Sequence, residues 1–213
     1  MSCNFLRVTM VCAAGIGLAC APKARSLPGA PTPARLPAAQ LAPGYQRVDF
    51  RWEFVERDLA ARGEGVARIA SPDSARVDLF LDGGYGGGWA LLIGDRLITP
   101  QGAGFMRRYI PPPALLWAAF GRLAIPPAAD TAARREGNTL RADIGSGPTW
   151  RVTFDGDRLA RLERIDGGRI VERVARLADG SATYRNDGAR RSLVLQVTGT
   201  RGVPGFDAAI WRP

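Results

Sequence analysis

Val48, Phe50, Trp52 and Phe54 alternate with Arg47, Asp49, Arg51 and Glu53, and a period of two is what a strand buried on one face produces. Ala75, Val77, Leu79 and Leu81 repeat the pattern against Arg76, Asp78 and Asp82, and Trp89 to Ile93 follows a glycine-rich turn. Further strands are expected over 139–144, 149–154, 158–165, 169–177, 181–185 and 192–198. Their separators are Asp155-Gly156-Asp157, Asp166-Gly167-Gly168, Asp179-Gly180 and Asn186-Asp187-Gly188. These residues tolerate positive φ and make tight hairpins. The chain therefore reads as a run of antiparallel hairpins, and a sheet of some ten strands tends to curl rather than lie flat.

One segment breaks the period. Pro111, Pro112 and Pro113 precede Ala114-Leu-Leu-Trp-Ala-Ala-Phe120, and Gly121 closes it. Proline suits a first helical turn and glycine an end, so this is a short helix. Leu116 and Phe120 share a face, with Leu123 near it and Trp117 beside them. The economical architecture is mainly β: one strongly curved antiparallel sheet, a partial barrel, with this apolar helix across its concave face. Such a barrel is filled by its own side chains or holds one small ligand. Phe50, Trp52, Phe54, Leu79, Trp150, Phe154, Leu193 and Leu195 on strands, and Leu116, Trp117 and Phe120 on the helix, are the candidates to line a chamber. Ordinary core packing is the alternative for each, and periodicity does not say which strand face is concave.

The N-terminal twenty residues carry a different signal. Arg7 precedes an apolar run from Val8 to Leu18, and Ala19 leads into Cys20. The run is too short to cross a bilayer, which takes roughly 20 apolar residues. It reads as a secretory signal over residues 1–19, with Cys20 as the lipidated first residue of a bacterial lipoprotein; an ordinary secreted protein with Cys20 unmodified is the alternative. Cys3 and Cys12 fall in the removed segment, so no intrachain disulfide is available. Residues 20–43, rich in proline and alanine without apolar period, read as an extended tether. Residues 44–213 make one domain, without room for a separate catalytic one.

Basic residues exceed acidic ones by nine, and Lys23 is the only lysine. Arginine, alanine, glycine and proline are abundant together, the profile of a GC-rich genome, so composition is a weak guide to partners. No nucleic-acid recognition motif is visible, whereas anionic lipid headgroups suit a basic envelope protein. The sequence has no histidine, which removes the commonest general base, the Ser-His-Asp triad and most zinc sites. The glycines at 83–88 lie between strands and lack the Lys-Ser or Lys-Thr of a phosphate loop. Asp155 and Asp157 are hairpin residues rather than a glycosidase pair. No enzyme, metal or cofactor is expected.

The order of elements resembles the LolA/LolB family of outer-membrane lipoprotein carriers and receptors. The likeness runs over most of residues 44–213, through Leu79-Phe-Leu81, Gly83-Gly-Tyr-Gly-Gly-Gly88, Leu115-Leu-Trp-Ala-Ala-Phe-Gly121 with Ile125-Pro126, and Trp150-Arg-Val-Thr-Phe154. It implies an unclosed antiparallel half-barrel of about eleven strands with a helical lid, whose apolar cavity receives acyl chains of lipoproteins or lipids. It also implies a monomer anchored on the periplasmic face of the outer membrane that accepts cargo from a soluble LolA-like carrier. LolB-type members project an apolar residue from a loop between two early strands to engage the bilayer; Tyr85, followed by Gly86, occupies that place, and tyrosine suits the interface. An ordinary glycine turn is the alternative there. Phe105-Met106, before Arg107-Arg108, is a second apolar tip, for lipid or for the interior. The rival to transport is a lipoprotein that uses the same fold as a sensor or scaffold for a partner protein. A hollow of several hundred Å³ suits lipid, and a packed interior suits the rival.

Overall fold

The computed structural model describes residues 21–84, 86–101, 104–125, 128–146 and 149–212. Cys20, the signal segment before it, Tyr85 and Pro126 lie outside the described residues. Among the described residues thirteen strands form one antiparallel sheet. They begin with β1 (Ala30–Thr32), β2 (Tyr45–Glu56), β3 (Leu59–Ala70), β4 (Ser74–Leu81), β5 (Gly87–Ile93) and β6 (Arg96–Ile98). Two short helices follow, α1 (Gly104–Tyr109) and α2 (Pro113–Ala119). The sheet then resumes with β7 (Ala132–Glu136), β8 (Thr139–Ile144), β9 (Thr149–Asp155), β10 (Arg158–Asp166), β11 (Arg169–Arg176), β12 (Ala182–Asn186) and β13 (Arg191–Val203).

Spatially the order is β1-β7-β8-β9-β10-β11-β12-β13-β2-β3-β4-β5-β6. The two ends of the chain's meander are joined where β13 pairs along the whole of β2, from Arg191 opposite Glu56 to Val203 opposite Tyr45. β1 and β6 are edges, so the barrel is open. The expected unclosed half-barrel is present, with thirteen strands where about eleven were expected. The additions include β6 and β1.

The concave face belongs to the even positions of β2: Phe50, Trp52 and Phe54 are buried, and Val55 is exposed. Leu79 on β4, Phe154 on β9 and Leu193 on β13 meet them in one apolar cluster. On β3, Gly63 and Gly65 take the buried positions. A Cβ at Gly63 would overlap the Phe80 carbonyl, and one at Gly65 would collide with the Phe50 ring and sit 3.0 Å from the Asp78 carbonyl oxygen. Only glycine lets β2, β3 and β4 close up this far.

Helix α2 fills the trough, packed on β10, β11 and β12. Leu115, Leu116, Trp117, Ala118 and Ala119 are all buried, as befits a helix apolar on every side. Its ends are as expected: Pro113 opens the first turn and Leu116 N–H donates to the Pro112 carbonyl at 2.9 Å. Gly121, at φ +91°, closes the helix with its N–H donating to Ala118 at 3.0 Å.

Residues 21–43 correct the expectation of a free tether. β1 pairs with β7, Ala24 N–H donates to the Gly168 carbonyl, and Ile170 N–H donates to that of Pro22. Leu27 and Ala39 are buried, and Leu36 and Leu41 pack on the core. The segment has no apolar period because it is neither helix nor long strand; its scattered leucines each find a separate gap along the sheet. Among the described residues, the sheet, both helices and the apolar cluster lie within residues 21–212.

Gly63→Ala is expected to lose roughly 2–3 kcal/mol of stability in urea unfolding, the upper range for forcing atoms into a packed site. Gly202→Ala, where a Cβ meets nothing within 4 Å, should stay within about 0.5 kcal/mol of wild type.

Candidate functional site

Phe50, Trp52, Phe54, Leu79, Leu116, Trp117, Phe154, Leu193 and Leu195 come together as one buried cluster, with Phe120 and Trp150 half-buried against it. They are packed on each other and on the lid helices. The Tyr109 ring of α1 lies 4.6 Å from that of Phe54 and 5.9 Å from that of Trp52. Met106, also on α1, is buried and fills the space that a side chain at Gly88 would take. That methionine therefore faces the interior. Both buried indoles have partners: Trp52 donates to the Glu64 carbonyl at 2.9 Å, and Trp117 to the Gly94 carbonyl at 2.6 Å. The second bond ties α2 to the β5–β6 turn.

Open space lies beside α2. A cleft of 740 Å³ runs along it between Pro112, Pro113, Trp117, Leu123, Ile125 and Trp150. Leu123 and Ile125 also line a 360 Å³ cleft that continues past Leu36 and Ile144. Of the sequence candidates, Trp117 and Trp150 reach this space. The pair Leu123 and Ile125, which border both clefts, were legible in the sequence only as the apolar residues trailing the helix. Arg122 lines the larger cleft with its guanidinium 4.7 Å above the Trp117 ring. Its Nη1 is buried and has no hydrogen-bond partner among the described residues.

The interior is closed at one mouth by a polar ring. Glu56, in phase with Phe54, ends the inner row of β2 and is 7 % exposed. It accepts from Arg191 at 2.7 Å and from Arg108 of α1. Glu172, in phase with Val174, accepts from Tyr184 at 2.7 Å, Arg164 at 2.7 Å and Asn186 at 3.1 Å. Hydrogen bonds from Arg191 and then Arg108 hold Glu56 below the ordinary carboxylate range, against the opposing effect of burial. Burial and then the Glu172 carboxylate push the Tyr184 phenol up. The ring latches α1 across the mouth through Arg108, beside Tyr109, whose ring is tilted against Phe54 and Trp52.

Sequence reasoning missed this ring although the signal was present. A charged residue that keeps the buried phase of its strand must have an internal partner. Among the described residues no group of three or more His, Cys, Asp or Glu is placed to hold a metal ion, and no helix is long and apolar enough to cross a membrane.

Comparison with solved structures places this architecture. A LolA superfamily protein from Nitrosomonas europaea aligns over 83 % of this chain and 93 % of its own, at 9 % identity and a TM-score of 0.52. A DUF1329 family protein from Desulfovibrio piger aligns at 10 % identity over 80 % and 90 %, with a TM-score of 0.47. A putative outer membrane lipoprotein-sorting protein domain from Vibrio parahaemolyticus aligns at 10 % identity over 79 % and 89 %, with a TM-score of 0.45. No protein-family model matches the sequence, and no curated protein matches it either. The chain has the LolA-type fold.

Glu56→Gln is expected to lower stability at neutral pH by on the order of 2 kcal/mol, short of what a fully buried pair loses because Arg108 is half exposed. The folded carboxyl titrates below its reference value of 4.5, so the unfolded chain binds the proton first as pH falls. The contribution is complete above about pH 4.5 and fades below it, and urea midpoints of the two proteins should converge in acid.

Proposed function

We propose that this LolA-type open barrel is a lipid-anchored envelope protein that binds acyl chains and assists transfer of lipoproteins or lipids to the outer membrane. Acylated Cys20 holds it on the periplasmic face as a monomer, a soluble LolA-like carrier supplies the cargo, and no chemical bond changes. The observation that carries this reading is the cleft beside α2, whose floor of Trp117, Leu123, Ile125 and Trp150 is apolar and is rimmed by Asp95, Arg122, Arg164 and Glu172. Each CH₂ moved from water into such a site is worth about 0.8 kcal/mol, so a small difference in buried length sets the direction of transfer.

The packed interior gives the mechanism its shape. An acyl chain starts in the cleft on Trp117, Trp150, Leu123 and Ile125, and deeper entry requires α2 to move off β10–β12. That motion breaks one indole hydrogen bond at Gly94 and exposes an apolar helix, which hydrocarbon then covers. Arg122 Nη1 supplies a donor for an ester or carboxylate oxygen at the cleft. The Tyr85-Gly86 turn touches the bilayer interface during delivery.

The same packing favours a second reading, a sensor or scaffold that keeps its interior closed and binds a partner protein instead. Native mass spectrometry in the presence of palmitate separates the two. The transport reading expects a retained acyl adduct that Leu123→Glu abolishes while leaving the fold intact. A protein that never takes up palmitate, with or without the substitution, belongs to the second reading. Metabolic labelling with an alkyne fatty acid is expected to mark the wild type and to be lost in Cys20→Ser, and Tyr85→Glu should retain palmitate but slow its delivery to liposomes.

A further inference from the structure

In an antiparallel meander successive turns fall at alternate ends of the barrel. One end collects the turns after β3, β5, β7, β9 and β11, and these carry Asp73, Asp95, Asp157 and Asp179; Glu136 and Asp155 at the adjoining strand ends are paired with Arg141 and Arg158, and Arg96 and Arg135 stand exposed beside them, so the charges here roughly balance. The opposite end collects the turns after β2, β4, β10 and β12, together with α1 and the segment at Ala21. There unpaired cations gather. Lys23, Arg57, Arg107, Arg169 and Arg185 stand at this end, and Lys23, Arg57 and Arg185 are exposed with no ion-pair partner among the described residues. Most of the acids here are already engaged: Glu56 with Arg108 and Arg191, Asp82 with Arg62, Asp187 with Arg173. Asp58 and Asp166 are what remains.

Apolar side chains share the basic end. Val55 and Leu59 flank the β2–β3 turn at 44 % and 37 % exposure, and Phe80 near the end of β4 is 51 % exposed. A groove of 540 Å³ runs between Val55, Ala60, Ala61 and Leu81. The chain is also pinned here: Arg169 Nη1 donates to the Ala21 carbonyl at 3.0 Å, and Pro22 lines a recess with Arg185. Ala21 and Pro22 are thereby pinned to the domain at its basic end.

We propose that this basic end docks face-on against an anionic phospholipid surface, with arginines at the phosphate level and Val55, Leu59 and Phe80 at the interface. Clustered cations with interleaved apolar residues are what a protein lying on a charged bilayer requires. The geometry sets the barrel upright, with the α1 mouth toward the membrane and the turns after β3, β5, β7, β9 and β11 pointing away. The inference rests on the membrane-facing part of the proposed function, whose β4–β5 turn falls at this same end, but it is independent of acyl binding and is read by a different measurement, so palmitate uptake and vesicle binding can fail separately.

The test uses residues 21–213, which carry the sheet, both helices and the apolar cluster described above and lack Cys20 and the apolar run before it; a cooperative thermal melt establishes that this span folds. Co-sedimentation is measured with vesicles of equal parts phosphatidylglycerol and phosphatidylcholine, and with phosphatidylcholine alone. Binding is expected only to the anionic vesicles and is expected to weaken with salt. With each cation near an anionic surface worth about fivefold in partitioning, Arg57→Gln with Arg185→Gln should lose about 25-fold. Arg96→Gln, exposed at the opposite end, should bind as wild type, and thermal melts of all variants confirm the fold. Failure to bind anionic vesicles, equal binding to neutral ones, no loss in the double variant, or an equal loss in Arg96→Gln would each overturn the proposal.

Discussion

Everything in this molecule depends on covering the inner face of a sheet that does not close. A barrel whose last strand pairs with its first seals its own interior; here the edge strands β1 and β6 do not pair with each other, and Phe50, Trp52, Phe54 and Phe154 would face water without another cover. The cover is α2, apolar on all sides, held between three prolines and Gly121. It is attached to the sheet mainly by burial, with Trp117 to Gly94 as its side-chain hydrogen bond. A lid held by non-directional forces can be replaced by any other hydrocarbon surface of similar size, and that makes the fold suited to binding.

The mouth is closed by a different kind of force. Glu56 and Glu172 are buried with arginines, and a buried carboxylate is tolerable only while its partners stay in place. The latch formed by Arg108 is thus directional and sensitive to acid, whereas α2 responds to apolar ligands. Two closures governed by separate chemistry sit on one interior.

Much of the fold was legible from alternation. β2, β4, β5 and β8–β13 follow from runs of period two bounded by Asp-Gly and Asn-Asp-Gly turns, and α2 from its prolines and glycine. β3 was not legible, because Gly63, Gly65, Ala61 and Ala67 give it little side-chain contrast; those small residues are there to admit Phe50 and the backbone of β4. Residues 21–43 misled for a related reason. Composition reports what a segment cannot do alone, not that a ready-made sheet edge at β7 will receive it. The clefts at Leu123 and Ile125 depend on how the chain returns from α2, about which periodicity says nothing.

The sequence by itself determined that the domain is an antiparallel sheet with one greasy face, a short apolar helix to cover it and a cysteine after a secretory-type run. These are local properties, set by side-chain phase and turn chemistry within a few residues. Only the tertiary structure decided which phase points inward, that Glu56 and Glu172 find arginines across the mouth, and that unpaired cations from turns far apart in sequence gather at one end of the barrel. Each of these needs strands distant in sequence to be paired in a particular register, and pairing between Glu56 and Arg191, 135 positions apart, leaves no trace in either neighbourhood.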